Sequence, residues 1–199
     1  MHTQPLQIGF FGGTFDPIHF GHINLAIELL EHTHLDHILF CPAFCSPFKT
    51  KTPPLASPRQ RFAMIQAAIA DLPNCSITPI EIERQGPSYT IDTLKQLQRP
   101  NTQYHLILTP DSAAHFHKWK SPQEILHIAP LIVAARAQTQ IPPDLPYSAE
   151  FKKSIVKIRR LDITGTEMRA RLTRDLYCGH LIPSKALDYI SQHRLYSQP

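Results

Sequence analysis

Gly12-Gly13-Thr14-Phe15-Asp16-Pro17-Ile18-His19-Phe20-Gly21-His22 is the stretch on which the reading of this chain turns. An apolar run over residues 6–11 precedes it and reads as a buried first strand. Behind it, Ile23, Ile27 and Leu30 recur at helical spacing. The context is strand, glycine-bearing turn, helix. Gly12 and Gly13 let backbone N–H groups approach a ligand with no Cβ in the way. A helix opening at Gly21-His22 presents unpaired N–H donors and a positive dipole end, which together make an anion site. His19 and His22 bracket that end. The chemistry indicated is the handling of a nucleotide's phosphates. The stretch has no G-x-G-x-x-G and no Gly-Lys-Ser/Thr after it, so neither a dinucleotide-binding turn nor a P-loop is indicated.

Working outward, apolar runs alternate with helical patterns. Strands are expected at 6–11, 37–41, 76–82, 104–109, 131–135 and 154–158. Helices are expected from 58 to about 70, with Ser57 as N-cap, Pro58 at N1 and Phe62, Ile65 and Ile69 on one face. Others are expected over 88–97 with Ile91 and Leu94 inward, then 111–117, 122–127, 165–176 and 183–193. Strands separated by helices of this length imply βαβ units and an α/β fold: a Rossmann-like parallel sheet with helices on both faces and a small C-terminal helical part. Ligands of such sheets sit at the carboxyl ends of the strands. The loop after the first strand lies at that end. Residues 42–58 are proline-rich, with the character of a flap over a site.

Composition narrows the partners. The 199 residues include 20 Lys and Arg against 16 Asp and Glu, a formal charge of +4. No basic stripe stands out, which argues against a nucleic-acid surface and suits a small anionic substrate. No apolar run approaches a membrane span and no secretory signal is expected, since the core strand begins within a few residues of Met1. The cytoplasm is the expected location. Cys41, Cys45, Cys75 and Cys178 offer only one C-x3-C pair, and they read as small buried hydrophobes rather than metal ligands. His32, His34 and His37 read as solvated.

A second phosphate-handling element stands at Asp162-Ile163-Thr164-Gly165-Thr166-Glu167-Met168-Arg169. Thr164 and Glu167 have capping-box spacing. A cation in the first turns of a helix is unfavourable by some tenths of a kcal/mol. Arg169 there fits either an anion at the helix end or an ion pair with Glu167 or Asp162. Ser88, in Pro87-Ser88-Tyr89-Thr90, can cap the helix that follows, whose first N–H groups suit a carboxylate. Trp119, the sole tryptophan, is either a core or rim aromatic or an indole face for a cationic ring.

The string 12–22 resembles the signature of the nucleotidyltransferase superfamily with an H-x-G-H motif, here His19-Phe20-Gly21-His22. Taken whole it is similar to the nicotinate-nucleotide adenylyltransferase branch. The second signature of that superfamily, Ile-Ser-x-Thr followed by arginine, is matched by Ile163-Thr164-Gly165-Thr166 with Arg169 and Arg171. Pro87-Ser88-Tyr89-Thr90 and the Asp111-Ser112…Phe116…Trp119 run resemble its mononucleotide segments. Two positions depart from the pattern. Thr109-Pro110 stands where a glycine and a small residue are usual, and Phe48 stands where histidine precedes Lys49.

The resemblance implies a single nucleotidyltransferase domain over 1–199, with about 160–199 as its C-terminal helical portion. It implies adenylyl transfer from ATP to nicotinate mononucleotide, giving nicotinate adenine dinucleotide and pyrophosphate, with Mg²⁺ as cofactor. His19, His22 and Arg169 would be catalytic. Gly12, Gly13, Thr14, Phe15, Lys49, Asp111, Thr164, Gly165 and Thr166 would bind ATP, Asp111 through the ribose or through the metal. Ser88, Tyr89, Thr90 and Trp119 would bind the mononucleotide. The implied partners are these small molecules, with neither nucleic acid nor membrane; assembly with copies of itself is compatible with the reading. Two alternatives remain open: a pantetheine-phosphate adenylyltransferase, which usually has threonine in place of the first histidine, and a nucleotide-binding sensor without turnover.

Overall fold

The computed structural model describes residues 4–48 and 52–197. A six-stranded parallel sheet with helices around it places the chain in the Rossmann-like α/β class. The strands are β1 (Leu6–Gly13), β2 (His37–Pro42), β3 (Cys75–Ile77), β4 (Thr102–Leu108), β5 (Leu131–Ala135) and β6 (Ile155–Lys157), in the spatial order β3-β2-β1-β4-β5-β6. The order reverses direction at β1, where the sheet grows by β2 on one side and β4 on the other. Ligands of open parallel sheets bind at such a switch point. β1 pairs with β4 in parallel, Ile8 opposite Tyr104, and β4 pairs with β5, Ile107 opposite Ile132. All five residues of β5 are buried, as a strand covered on both faces requires.

The helices are α1 (Phe20–His32), α2 (Pro58–Ala68), α3 (Ile80–Arg84), α4 (Thr90–Leu97), α5 (Pro110–His115), α6 (Pro122–Ile128), α7 (Ser148–Ser154), α8 (Gly165–Thr173) and α9 (Ser184–Gln192). A 3-10 turn, Phe116–Lys118, follows α5. The residues cluster into two compact units, each assembled from separate stretches. The first holds the N-terminal strand up to Gly12 with Leu25–Leu39 and Tyr89–Arg160. Its core is Leu29, Ile38, Ile91, Leu94, Phe116, Val133 and Phe151, all within 1% of full burial. The second holds Gly13–Asn24, Phe40–Ser88 and the chain from Leu161 onward. Here α2 packs on α9, and Met64, Ile65, Ala186 and Ile190 meet in its core.

Several expectations need correction. β1 runs on through Gly13, whose carbonyl accepts from the Ala43 N–H at 2.9 Å, so the turn begins at Thr14. The strand expected over 76–82 ends at Ile77. Pro79 cannot donate to a ladder, and its φ of −84° and ψ of 3° turn the chain into α3. α7 went unread in a proline-rich stretch; it opens after Tyr147, held at a left-handed φ of 65°. α8 stops at Thr173, short of 176, because Asp175 takes φ 53° and Leu176 N–H turns back to the Arg171 carbonyl at 2.9 Å. All four cysteines are free; Cys41 and Cys178 are buried as expected, but Cys45 is exposed and Cys75 half-buried. His32 and His34 are exposed, whereas His37 opens β2 half-buried, and burial pushes its pKa down. No helix among the described residues is long and apolar enough to cross a membrane.

Candidate active site

His19 immediately precedes α1 and is 5% exposed. Its carbonyl accepts from His22 N–H at 2.9 Å, so the two histidines flank the first turn. Their rings stack with centroids 3.8 Å apart. His19 N–H donates to His22 Nδ1 at 3.3 Å, which makes Nδ1 an acceptor and puts the His22 ring proton on Nε2. Burial pushes the His19 pKa down to about 4, so its ring is neutral near neutral pH. His19 Nδ1 has no hydrogen-bond partner among the described residues. Gly21 is dictated by this packing: a Cβ there would stand 2.9 Å from His19 Nδ1. The expected anion site is narrower than a bare helix start, since Phe20 N–H is already taken by the Leu181 carbonyl at 2.8 Å.

The loop before His19 is held by two buried ionic groups. Asp16 is 6% exposed, and its carboxylate accepts from Leu55 N–H at 2.9 Å, Ala56 N–H at 3.1 Å and the Tyr196 hydroxyl at 2.6 Å. Arg61, fully buried, donates to the carbonyls of Thr14 and Ala43 at 2.6 Å each, of Ala56 at 3.2 Å and of Phe44 at 3.3 Å. Phe15 is buried at a left-handed φ of 50°, its ring edge-on to His22 at 4.9 Å and 5.8 Å from Phe40. Gly12 is exposed at the strand end, with Gly13 and Thr14 half-buried beside it.

The second signature converges on the same loop. Arg169 Nη1 donates to the Asp16 carbonyl at 2.6 Å and lies 3.7 Å from its Oδ2, while Nη2 reaches Thr166 Oγ1 at 3.2 Å. The partner that Arg169 engages is Asp16, remote in sequence. Thr164 caps α8 by accepting from Glu167 N–H at 3.2 Å. Gly165 lies so close to the loop that a Cβ would stand 3.0 Å from the Asp16 carbonyl oxygen. Gly13, Thr14, Phe15, His19, His22, Thr164, Gly165, Thr166 and Arg169 thus gather around one loop and one helix start, and Gly12 lies near the end of the strand that leads into it. Lys49 lies outside the described residues.

Ser88 belongs to the same unit but does not cap α4. Its Oγ accepts from Phe44 N–H at 2.9 Å, and its N–H donates to the Cys45 carbonyl at 2.8 Å. Tyr89 takes the cap position, its carbonyl accepting from Asp92 N–H at 3.1 Å. In the first unit, Tyr89 lies under Lys120, whose Nζ is 4.8 Å from the ring centroid and 2.8 Å from Asp92. Thr90 opens α4 half-buried. Trp119 is half-buried against Phe116 at 5.4 Å, and Phe116 is locked in turn by Tyr147 and Phe151 at 5.5 and 5.8 Å. Asp111 is exposed in the first turn of α5. Pro110 sits at N1 behind the Thr109 cap, so its missing N–H costs α5 no intrahelical bond.

Residues 10–171 match the cytidylyltransferase-like family. The chain belongs to that family. A relative from Herpetosiphon aurantiacus, named "Probable nicotinate-nucleotide adenylyltransferase", is 36% identical, with 96% of this chain and 98% of the relative covered. A Methylacidiphilum infernorum relative of the same name is 34% identical, covering 98% of this chain and 94% of its own length. Among solved structures, the nicotinic acid mononucleotide adenylyltransferase of Plasmodium falciparum shares the fold. It was solved in complex with APC (TM-score 0.77, 20% identity) and with NaAD (TM-score 0.75, 22% identity). In both comparisons 96% of this chain and 97% of the Plasmodium chain are covered.

Three residues of this cytidylyltransferase-like chain escaped the sequence reading. Asp16 lay inside the quoted motif without a role. Arg61 did leave a signal: it falls three and four residues before Met64 and Ile65, on the apolar stripe of α2, where a cation needs partners. Tyr196 left none, since only the folded tail brings it to Asp16.

Proposed function

We propose that this chain transfers the adenylyl group of ATP to nicotinate mononucleotide, releasing nicotinate adenine dinucleotide and pyrophosphate. The observation that carries the reading is the meeting of the His19–His22 turn with Arg169 of α8 on Asp16, the arrangement a triphosphate site needs. The names of relatives aligned along nearly the whole chain support it.

In this reading a phosphate oxygen of the mononucleotide attacks the α-phosphorus. The bond from that phosphorus to the bridging oxygen of the β-phosphate breaks, and its electron pair leaves with pyrophosphate. The nucleophile is already anionic, since the second pKa of a phosphate monoester is ~6. The chain therefore needs no general base, and its work is alignment and charge stabilisation. His22 donates Nε2–H to a phosphate oxygen, and His19 finds there a partner for its ring nitrogen. Backbone at Gly12, Gly13, Thr14 and Phe15, with Thr164, Gly165 and Thr166, keeps the phosphates in register. Arg169 and Lys49 take up charge on the departing pyrophosphate. Ser88, Tyr89 and Thr90 bind the pyridine substituent, and Trp119 stacks on the ring.

No group of three or more His, Cys, Asp or Glu side chains that could hold a metal ion occurs among the described residues. A hard cation that enters with a triphosphate is carried mainly by phosphate oxygens and water. A divalent ion, Mg²⁺, entering with ATP would supply charge neutralisation, and Asp111 would serve at the ribose or at the ion. The cytoplasm is the proposed compartment.

The test is a steady-state comparison of nicotinate and nicotinamide mononucleotides with ATP and Mg²⁺, following pyrophosphate release. Turnover with the nicotinate form is expected at the higher kcat/KM. No release with either substrate refutes the reading.

A further inference from the structure

The chain beyond α9 reaches the loop that carries His19. Tyr196 is 8% exposed, at a left-handed φ of 63° beyond α9. Its two polar groups engage two different elements. Its hydroxyl donates to Asp16 Oδ1 at 2.6 Å. Its carbonyl accepts from Thr173 Oγ1 at 3.1 Å, and the same hydroxyl lies 2.9 Å from the Arg169 carbonyl one turn back in α8. One residue therefore bridges the loop and the helix whose arginine must meet it. We propose that Tyr196 is a positioning residue: it ties α8 to the loop through Asp16 and so fixes the Arg169 guanidinium for the triphosphate. This rests on the adenylyl-transfer reading for what Arg169 touches.

The carboxylate geometry explains why a hydroxyl is needed. Asp16 Oδ1 has two neutral donors, Ala56 N–H and Tyr196; Oδ2 has Leu55 N–H and faces Arg169. A buried carboxylate that loses a donor turns toward those remaining. The Arg169 Nη1 contact to the Asp16 carbonyl, 2.6 Å long, is then redrawn as well. Burial and the Asp16 carboxylate both push the Tyr196 pKa up, so the hydroxyl stays a donor at any working pH. The ring also packs in the core, its oxygen 4.0 Å from Met64 Sδ, so phenylalanine keeps the shape and removes only the hydrogen bond.

The experiment compares wild type, Tyr196→Phe, Arg169→Ala and the double variant. It measures steady-state constants, affinity for a non-hydrolysable ATP analogue by titration, and Tm. Tyr196→Phe should lower kcat/KM for ATP and analogue affinity about tenfold, the scale of one hydrogen bond to a charged group. The KM for the mononucleotide should stay the same. In the Arg169→Ala background the substitution should change nothing further, because Tyr196 acts through Arg169. Wild-type ATP constants in Tyr196→Phe overturn the inference. So does an undiminished tenfold loss in the Arg169→Ala background, which would assign Tyr196 a purely structural part. If wild type itself fails to turn over the mononucleotide, the functional reading falls alone, and the analogue affinities still decide the role of Tyr196.

Discussion

Replacing Arg61 by methionine tests how the loop is held. The side chain is fully buried, and its guanidinium serves four carbonyls drawn from three segments: Thr14 after β1, Ala43 and Phe44 after β2, and Ala56 before α2. Methionine matches its unbranched stem and helix propensity, so α2 itself should persist. It donates nothing, and each carbonyl left buried without a partner costs about 1–3 kcal/mol. The two 2.6 Å bonds, to Thr14 and Ala43, dominate the loss. Relief from burying a cation offsets part of it, since desolvating a charge costs several kcal/mol. Burial alone pushes the Arg61 pKa down, with Asp16 opposing. The net loss should be on the order of 3–5 kcal/mol, as when one partner is removed from a buried ionic network. With a urea m-value of about 2–3 kcal/mol/M, that moves the unfolding midpoint down by about 1–2.5 M. Urea titration followed by far-UV circular dichroism and by Trp119 fluorescence measures it. Arg61→Lys should fall part-way, because an ammonium with three donors cannot span four carbonyls held apart by a planar fork. A midpoint for Arg61→Met within about 0.3 M of wild type, well inside the expected shift, would refute the loop-bracing argument.

Three more outcomes are expected. His22→Ala should lose about 10²–10³ in kcat, the scale of one preorganised donor to a developing charge, with the fold intact by circular dichroism; near-wild-type turnover would take His22 out of the mechanism. Trp119→Ala should raise the KM for the mononucleotide about tenfold, the weight of one stacked ring, and leave the KM for ATP alone; an unchanged mononucleotide KM refutes the stacking role. The pKa of His19 falls from 6.5 to about 4 on folding, so the unfolded chain binds the extra proton between those values and stability must drop as pH falls through that window. The loss attributable to His19 approaches about 3 kcal/mol by pH 4. His19→Asn should flatten the dependence of the urea midpoint between pH 7 and pH 4.5, and an equal slope in both proteins contradicts the assigned burial.

How much of this was legible depends on whether a residue's partner is local. The β1 strand and the cap of α2 were readable because periodicity, Ser57 and Pro58 act within a few residues; the capping box between Ser57 and Gln60 is formed. The parallel α/β class followed from the alternation of such elements. β3 was overextended because an apolar run alone does not separate strand from helix, and Pro79 decided it. α7 was hidden because it follows directly on Pro142, Pro143 and Pro146, which read as loop. The two halves of the proposed triphosphate site are each legible separately, by their helix starts. Their meeting on Asp16 spans Arg169 at one end of the chain and the first loop at the other, and no local rule encodes it. Ser88 was placed correctly in the segment but given the wrong bond, because its partner, Phe44, is equally remote in sequence.

Long-range polar contacts matter most where catalysis is alignment. A reaction that moves no proton through the protein gains nothing from a strongly basic side chain, and burial accordingly holds the His19 ring neutral near neutral pH. It gains from donors that do not reorganise as charge shifts toward pyrophosphate. Small displacements of a loop on this scale would cost such a site heavily, since misplacing a reacting group by about 1 Å can cost 10²-fold. A turn made only of backbone, closed at Gly13 and carrying Phe15 at positive φ, is too soft for that by itself. Asp16 and Arg61 stiffen it from within the protein, one collecting N–H and O–H donors and the other collecting carbonyls. On this reading the buried charges of the second unit serve geometry rather than chemistry. Variants at Arg61 and Tyr196 should then lower turnover without touching any atom of the substrates.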